Sequence, residues 1–177
     1  MKQVILTVAI ALFFFGSPIL LAQNSLPDLS LEDVNGNVVN VSDYTKDGKI
    51  TIFSFWATWC SPCKKELNNI ADLYEDWQEQ FDLEVVAVSI DDQRASARVK
   101  PYVDGQGWEY TVLLDKNQDM QRALNFQSVP YTVVVDASGE IIYTHSGYVE
   151  GDEYVLEDKL VEWTAEKKEE EQEEKED

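Results

Sequence analysis

Apolar residues fall into two short continuous runs and one long periodic run. Residues 50–56 and 84–90 are rich in β-branched and aromatic side chains, and each run predicts a buried strand of a parallel sheet. Between them, apolar residues step by three and four from Cys63 to Phe81, which predicts a helix with one apolar face. Strand, helix and strand together predict a βαβ unit.

Weaker patterns predict further elements on both sides of this unit. Asn35-Gly36 lies between short apolar stretches and predicts a β-hairpin. We expect a helix over residues 93–103, with Pro101 kinking its last turn and Gly105 ending it. The other predicted elements are a strand at 112–114, a helix at 119–124, strands at 131–136 and 141–144, and a helix from about 151. This order predicts an α/β fold.

The first 22 residues are typical of an export signal. Lys2 gives a short positive start, residues 4–15 are almost entirely apolar, and a Gly-Ser-Pro break precedes the small residue Ala22. The alternative is an uncleaved membrane anchor, since residues 4–22 could span a bilayer. We favour a cleaved signal peptide, because the proline interrupts the run and no basic flank follows. The protein is therefore expected to be exported, to a periplasm.

The charge of the chain is strongly acidic. Its 177 residues hold 34 acids and 14 bases, a net charge of −20, which argues against nucleic acid as a partner because phosphates would be repelled. Residues 165–177 form an acidic low-complexity tail, which we expect to be a solvated extension of the last helix. Residues 23–164 remain as one domain, which we expect to act as a monomer.

The two cysteines of the chain share one short segment, Trp59-Cys60-Ser61-Pro62-Cys63, at the start of the long predicted helix. The unpaired N–H groups and the dipole of a helix N-terminus favour a thiolate over a thiol. We expect Cys60 to be exposed and to act as the attacking nucleophile. Cys63 lies one turn later on the apolar face and is expected to be the buried resolving thiol.

Three roles of the cysteine pair remain open at this point. A structural bridge is disfavoured, because so short a loop constrains the unfolded chain very little. A metal site would need more ligands, and the chain holds a single histidine, His145, and no third cysteine. Redox chemistry requires only the two sulfurs and the helix end, and we favour it.

Two segments carry a resemblance to a known family. Residues 55–64, Phe-Trp-Ala-Thr-Trp-Cys-Ser-Pro-Cys-Lys, resemble the active-site segment of thioredoxin, and residues 128–132, Ser-Val-Pro-Tyr-Thr, resemble its cis-proline loop. With the Pro-x-Leu-x-Leu-x-Asp pattern from Pro27, the chain is similar to TlpA/ResA-like thiol-disulfide oxidoreductases of the thioredoxin superfamily over about residues 27–163. The resemblance implies a thioredoxin-like fold, with a central mixed sheet flanked by helices and an N-terminal β-hairpin extension.

The resemblance also implies a mechanism without a cofactor. Cys60 would attack a substrate disulfide, and Cys63 would then release the reduced substrate, leaving the Cys60–Cys63 disulfide. Pro130 would follow a cis peptide bond and place the Val129 backbone where an extended substrate can pair with it. Trp59 is expected to shield Cys60 and to contact substrate. The implied partners are disulfide-containing exported proteins, among them cytochrome c apoprotein, and a membrane-embedded electron donor.

One acid is singled out by the same resemblance. Ser54 stands where thioredoxin has a buried aspartate. The TlpA/ResA-like pattern instead has an acid at the start of the next strand, and Glu84 matches it. The resemblance therefore implies that the Glu84 carboxyl takes the proton from Cys63.

Two other functions are kept as alternatives. A peroxiredoxin-like peroxidase would share the fold, but its nucleophile follows a threonine by three residues, where this chain has Ala57. A Sco-like copper-binding chaperone could use Cys60, Cys63 and His145, but that family separates its cysteines by three residues rather than two.

Overall fold

The structure is a computed structural model that describes residues 25–46 and 48–176. Seven strands form one mixed sheet in the order β2-β1-β5-β4-β3-β6-β7. The strands are β1 (Ser30–Asp33), β2 (Val38–Asn40), β3 (Ile50–Trp56), β4 (Leu83–Ser89), β5 (Thr111–Leu114), β6 (Tyr131–Val135) and β7 (Ile141–Ser146). The helices are α1 (Ser61–Phe81), α2 (Val99–Gln106), α3 (Asp119–Ala123) and α4 (Asp152–Glu176), with short 3-10 turns at Val41–Thr45 and Ser96–Arg98.

The centre of the sheet is the predicted βαβ unit. β3 and β4 run parallel, from the pair Ile50 and Leu83 to the pair Trp56 and Ser89, and α1 connects them. Every residue of β3 is buried, as expected for a strand covered on both faces. β6 joins β3 on its other side in antiparallel orientation, and β7 forms the edge.

The predicted N-terminal hairpin extends the other edge of this sheet. β1 and β2 pair in antiparallel register, and β1 also pairs with β5. The Asp33 carboxylate accepts hydrogen bonds from the backbone N–H groups of Asn35 and Asn37, and Gly36 has a positive φ of 88° in the turn between them. The predictions of a mixed sheet, flanking helices and a hairpin extension are confirmed.

Helix α1 packs its periodic apolar face into the core and ends at Asp82, which has a left-handed backbone. Helix α4 lies beside it. The Trp77 indole N–H donates to Glu157 Oε1 over 3.2 Å, and Leu156 and Leu160 of α4 are buried. The C-terminal half of α1 is therefore held by the sheet and by a second helix.

One predicted helix is displaced along the chain. We expected a helix over 93–103, whereas α2 runs from Val99 to Gln106 after a 3-10 turn. The Asp92 carboxylate accepts hydrogen bonds from Arg94 and Ala95 N–H, which makes a turn where the helix was expected. Pro101 accordingly lies in the first helical turn, where its missing N–H is harmless, and Gly107, with a φ of 70°, ends the helix.

The two ends of the chain differ in what the structure describes. The expected signal peptide and the alternative anchor at 4–22 lie outside the described residues. Within residues 25–46 and 48–176, none of the helices combines the length and apolar character needed to cross a bilayer. The acidic tail continues the last helix, because α4 extends to Glu176.

Candidate functional site

The two cysteines form a disulfide at the N-terminus of α1. Cys60 is the N-cap, and its Sγ accepts a hydrogen bond of 3.3 Å from the Cys63 N–H. Cys63 is fully buried, as expected, but Cys60 is only 5% exposed. The expectation of an exposed Cys60 is therefore corrected for the disulfide form, in which its sulfur is turned toward Cys63 and its N–H is bonded to the Ala57 carbonyl.

A buried carboxylate holds the loop that leads into the cysteine pair. Asp91, just after β4, accepts hydrogen bonds from the Thr58 N–H at 2.8 Å and the Thr58 Oγ1 at 2.7 Å. The Ser89 hydroxyl also donates to Asp91. These bonds fix the residue two positions before Cys60, and so fix the approach of the chain to the helix end.

The loop around Pro130 is held by backbone and aromatic contacts. The Val129–Pro130 peptide bond is cis. The Pro130 carbonyl accepts the Gly147 N–H at 2.9 Å, which fastens the loop to the end of β7. The rings of Phe126 and Tyr131 stack with centroids 4.4 Å apart, one on each side of the proline in the chain. The loop therefore enters β6 in a fixed position.

The two tryptophans of the active-site segment lie in opposite environments. Trp59 is 68% exposed, as expected for a surface aromatic next to Cys60. Trp56 is fully buried and packs against the rings of Tyr102 and Trp108. Lys64, in the first turn of α1, lies over the Tyr102 ring at 5.4 Å and adds positive charge near the helix end.

The structure reveals a buried acid, Glu66, that the sequence analysis missed. It lies one turn after Cys63 on the same face of α1, is 5% exposed, and its Oε1 accepts a hydrogen bond of 2.8 Å from Thr132. Burial raises the pKa of the Glu66 carboxyl to about 7; the Thr132 hydrogen bond opposes this shift, and the charges of Asp152 and Glu153 add to it. A carboxyl group with a pKa near neutral pH can both accept a proton from a thiol and release it again, and Glu66 has such a pKa.

Glu84 does not lie near the cysteine pair, which corrects the role we expected for it. It faces Thr51 in the register of β3 and β4, whereas Trp56, at the end of β3 that leads to Cys60, faces Ser89. The pair Thr51 and Glu84 is five residues of extended strand away from the pair Trp56 and Ser89, a distance of about 16 Å. The Thr51 hydroxyl donates to Glu84 Oε1 at 3.4 Å, at the far end of the sheet. The sequence signal for Glu66 was a glutamate on the apolar helix face of Cys63, Leu67 and Ile70.

His145 and Thr58 bear on the two alternative functions. His145 Nε2 lies 3.2 Å from Asp152 Oδ2, and within the described residues no three histidine, cysteine or acidic side chains gather as a metal site. Ala57 occupies the position of the peroxidase threonine, and the neighbouring Thr58 hydroxyl is bonded to Asp91. Neither arrangement adds support to the copper-chaperone or the peroxidase hypothesis.

A disulfide at the start of the helix after the central strand β3, with a cis-proline just before the neighbouring strand β6, defines a thioredoxin-like thiol–disulfide protein. The sequence model of the AhpC/TSA family matches residues 22–144, more than half of the chain. The chain belongs to the AhpC/TSA family and is a ResA-like thiol–disulfide oxidoreductase.

Individual relatives agree with this assignment. The thiol-disulfide oxidoreductase ResA of Geobacillus kaustophilus is 29% identical over 129 residues, 73% of this chain and 71% of the relative. The thioredoxin-like protein YneN of Bacillus subtilis is 30% identical over 68% of this chain and 69% of its own length. The solution structure of a thioredoxin-like protein from Porphyromonas gingivalis is 44% identical, covers 77% of this chain and 90% of its own, and superposes with a TM-score of 0.69.

Proposed function

We propose that this protein reduces disulfides in exported proteins, among them cytochrome c apoprotein, by dithiol–disulfide exchange through Cys60 and Cys63. The observation that carries this proposal is the placement of the cysteine pair. Cys60 caps α1, where N–H groups and the helix dipole stabilise a thiolate, and a buried acid lies one turn beyond Cys63.

The reaction begins with the reduced protein. The Cys60 thiolate attacks one sulfur of the substrate disulfide, forms a mixed disulfide and releases the first substrate thiolate. Glu66, as a carboxylate, then takes the proton of the Cys63 thiol. The Cys63 thiolate attacks Cys60 Sγ, forms the Cys60–Cys63 disulfide and releases the second substrate thiolate. Two electrons pass from the cysteine pair to the substrate.

Substrate recognition is assigned to three residues around the pair. The Val129 backbone precedes the cis bond to Pro130 and is offered as the edge that pairs with an extended substrate segment. Trp59 is largely exposed and supplies an apolar contact beside Cys60. The substrate is thus bound through its backbone and one aromatic contact, with little dependence on its other side chains. Such binding is compatible with several protein substrates.

The proposed setting is an oxidising compartment reached through the N-terminal signal, a periplasm, with residues 4–22 as an anchor if the signal is retained. Thiols are oxidised there, so the protein requires a membrane-embedded electron donor to return Cys60 and Cys63 to the dithiol form. The chemistry needs no cofactor, and the proposed active form is a monomer.

Two measurements test the proposal. The wild-type protein is expected to reduce insulin disulfides, and Cys60→Ala to lose this activity. A Cys60→Ala variant that reduces insulin at the wild-type rate would overturn the site assignment. The equilibrium potential of the Cys60–Cys63 couple against glutathione tests the direction: a reducing value is expected, and a potential near those of strong oxidants would overturn the reductase assignment.

A further inference from the structure

A row of polar residues crosses the sheet beneath α1. Ser54 of β3 faces Thr132 of β6, and Thr132 faces His145 of β7. Residues directly opposite each other in antiparallel strands point to the same side of the sheet. Thr132 donates to Glu66 of α1, so His145 lies on the side of the sheet that α1 covers. β7 is the edge strand, and the row therefore leads from the buried acid to the border of the sheet.

A small cavity lies beside Glu66 at this border. It is enclosed by α1, β6, β7 and the start of α4, and its polar walls include Glu66, Thr132, His145 and Asp152. About 10 Å³ is open to the centre of a water molecule, which is the lower limit for holding one water. The cavity is polar enough to give such a water the two to four partners it needs.

The second oxygen of Glu66 supplies an independent reason for a ligand here. Glu66 Oε1 is bonded to Thr132, but the buried Oε2 has no hydrogen-bond partner among the described residues. Leaving a buried polar atom unpaired costs about 1–3 kcal/mol. A water in the cavity that Glu66 lines would satisfy this oxygen.

The outer end of the cavity reaches solvent through His145. Its side chain is 36% exposed, and its Nε2 lies 3.2 Å from the Asp152 carboxylate. Imidazole can accept a proton at one nitrogen and release one from the other, and it does so near neutral pH more readily than any other ordinary side chain. The pair is thus a carboxylate-backed imidazole between the cavity and bulk water.

We propose that one water in this cavity links Glu66 to His145, and that His145 passes the Cys63 proton from Glu66 to solvent. The inference deepens the proposed function and rests on it. In the step, Glu66 Oε2 gives its proton to the water, the water gives one of its own to the His145 imidazole, and the imidazole releases a proton to the buffer. No electrons move, and Glu66 returns to the carboxylate form.

The other titratable groups around Glu66 are engaged elsewhere. From α4, Glu153 is bonded to Asn69 and Tyr148, and beside Leu67 of α1 the Tyr110 hydroxyl donates to a backbone carbonyl. Burial raises the pKa of Tyr110, and also that of Tyr143 on β7, so both phenols stay protonated near neutral pH. This leaves His145 with Asp152 as the group that can carry a proton outward.

The test separates the two thiol steps with an aromatic disulfide whose released thiolate is coloured. The first coloured product reports the attack by Cys60, and the second reports the attack by Cys63 on the mixed disulfide. Reduced wild-type protein and His145→Ala are compared at low buffer concentration, with and without added imidazole. Thr144→Ala, which changes the exposed neighbour on β7, is the matched control.

In His145→Ala we expect the first phase to be unchanged and the second phase to be slowed about five- to tenfold. This effect is smaller than the rate enhancement that general acid–base groups usually supply. Added imidazole should restore the rate, and Glu66→Gln should abolish the effect of the His145 substitution. A second phase unaffected by His145→Ala, or slowed without rescue, overturns the relay. Absence of the first phase in wild type would instead overturn the proposed function.

Discussion

Thr132 Oγ1 donates a hydrogen bond of 2.8 Å to Glu66 Oε1, across the boundary between the sheet and α1. Thr132 lies two residues after the cis-bonded Pro130, and Glu66 lies three residues after Cys63. One bond therefore joins the strand that follows the proposed substrate-binding loop to the helix that carries Cys63. It also lowers the pKa of the Glu66 carboxyl, because it favours the carboxylate, and so offsets part of the increase that burial causes.

Thr132→Val is expected to weaken the acid at this position. In the wild type, the hydrogen bond from Thr132 lowers the pKa of Glu66. Valine cannot donate this bond, so the substitution should raise that pKa above about 7. The pH midpoint of the Cys63 step, followed as the second coloured phase, should move upward. Thr144→Val removes a hydroxyl from an exposed strand position and serves as the control; an equal shift in both variants would contradict the assignment.

Glu66→Gln should change how stability depends on pH. The Glu66 pKa is raised from its ordinary 4.5 to about 7, so the folded state binds this proton more tightly than the unfolded state. The contribution of Glu66 to stability is present at low pH and is lost as the pH rises from about 4.5 through about 7.

The glutamine variant carries no such proton. From pH 5 to pH 8, the free energy of unfolding of the oxidised wild type should fall by about 2 kcal/mol relative to Glu66→Gln. Urea denaturation at the two pH values measures this difference. A difference that does not vary with pH would contradict the raised proton affinity of Glu66.

Asp91→Asn should destabilise the loop before Cys60. Asp91 accepts three hydrogen bonds from Thr58 and Ser89 through its two oxygens. Asparagine replaces one of these oxygens by an NH2 group, which donates and accepts none. We expect a loss of about 1–3 kcal/mol in the free energy of unfolding by urea. Asp158→Asn removes the same charge from an exposed position on α4 and should change stability by less than about 0.5 kcal/mol; equal losses would show that charge alone matters.

Trp59→Ala should separate substrate recognition from chemistry. The side chain is 68% exposed, so its loss should leave the free energy of unfolding within about 0.5 kcal/mol of the wild type. We expect kcat/KM for a protein disulfide to fall about three- to tenfold, as for a contact aromatic at an interface, while the rate with a small aromatic disulfide stays near wild type. Tyr154→Ala, another exposed aromatic, is the control, and equal effects of the two substitutions would contradict a contact at Trp59.

The elements that the sequence predicts well are those with a strong repeating pattern. The continuous run of β3 and the three-and-four spacing of α1 gave these elements nearly to the residue. The helix after β4 was displaced because the Asp92 side chain bonds the next N–H groups, a local competition that apolar spacing does not express. The sequence predicts a kink at Pro101, whereas the structure has this residue in the first turn of the helix.

The part of the site that could be predicted is the part whose reactive residues are close together in the sequence. The cysteine pair at the helix start could be identified from spacing alone. The acid that we propose as the proton acceptor could not be identified in this way, because Glu84 matched a sequence pattern while the register of β3 and β4 places it at the far end of the sheet. Glu66 becomes visible as a functional group through its burial and its bond to Thr132, which joins residues 66 positions apart.

The central claim is that Cys60 attacks and Cys63 resolves. The most direct measurement is mass spectrometry of reduced Cys63→Ser and Cys60→Ser proteins after incubation with a disulfide-bonded peptide. The account predicts a stable mixed disulfide on Cys60 in Cys63→Ser, and little adduct in Cys60→Ser because Cys63 is fully buried. An adduct that forms faster on Cys63 than on Cys60, or no adduct on Cys60, would contradict it.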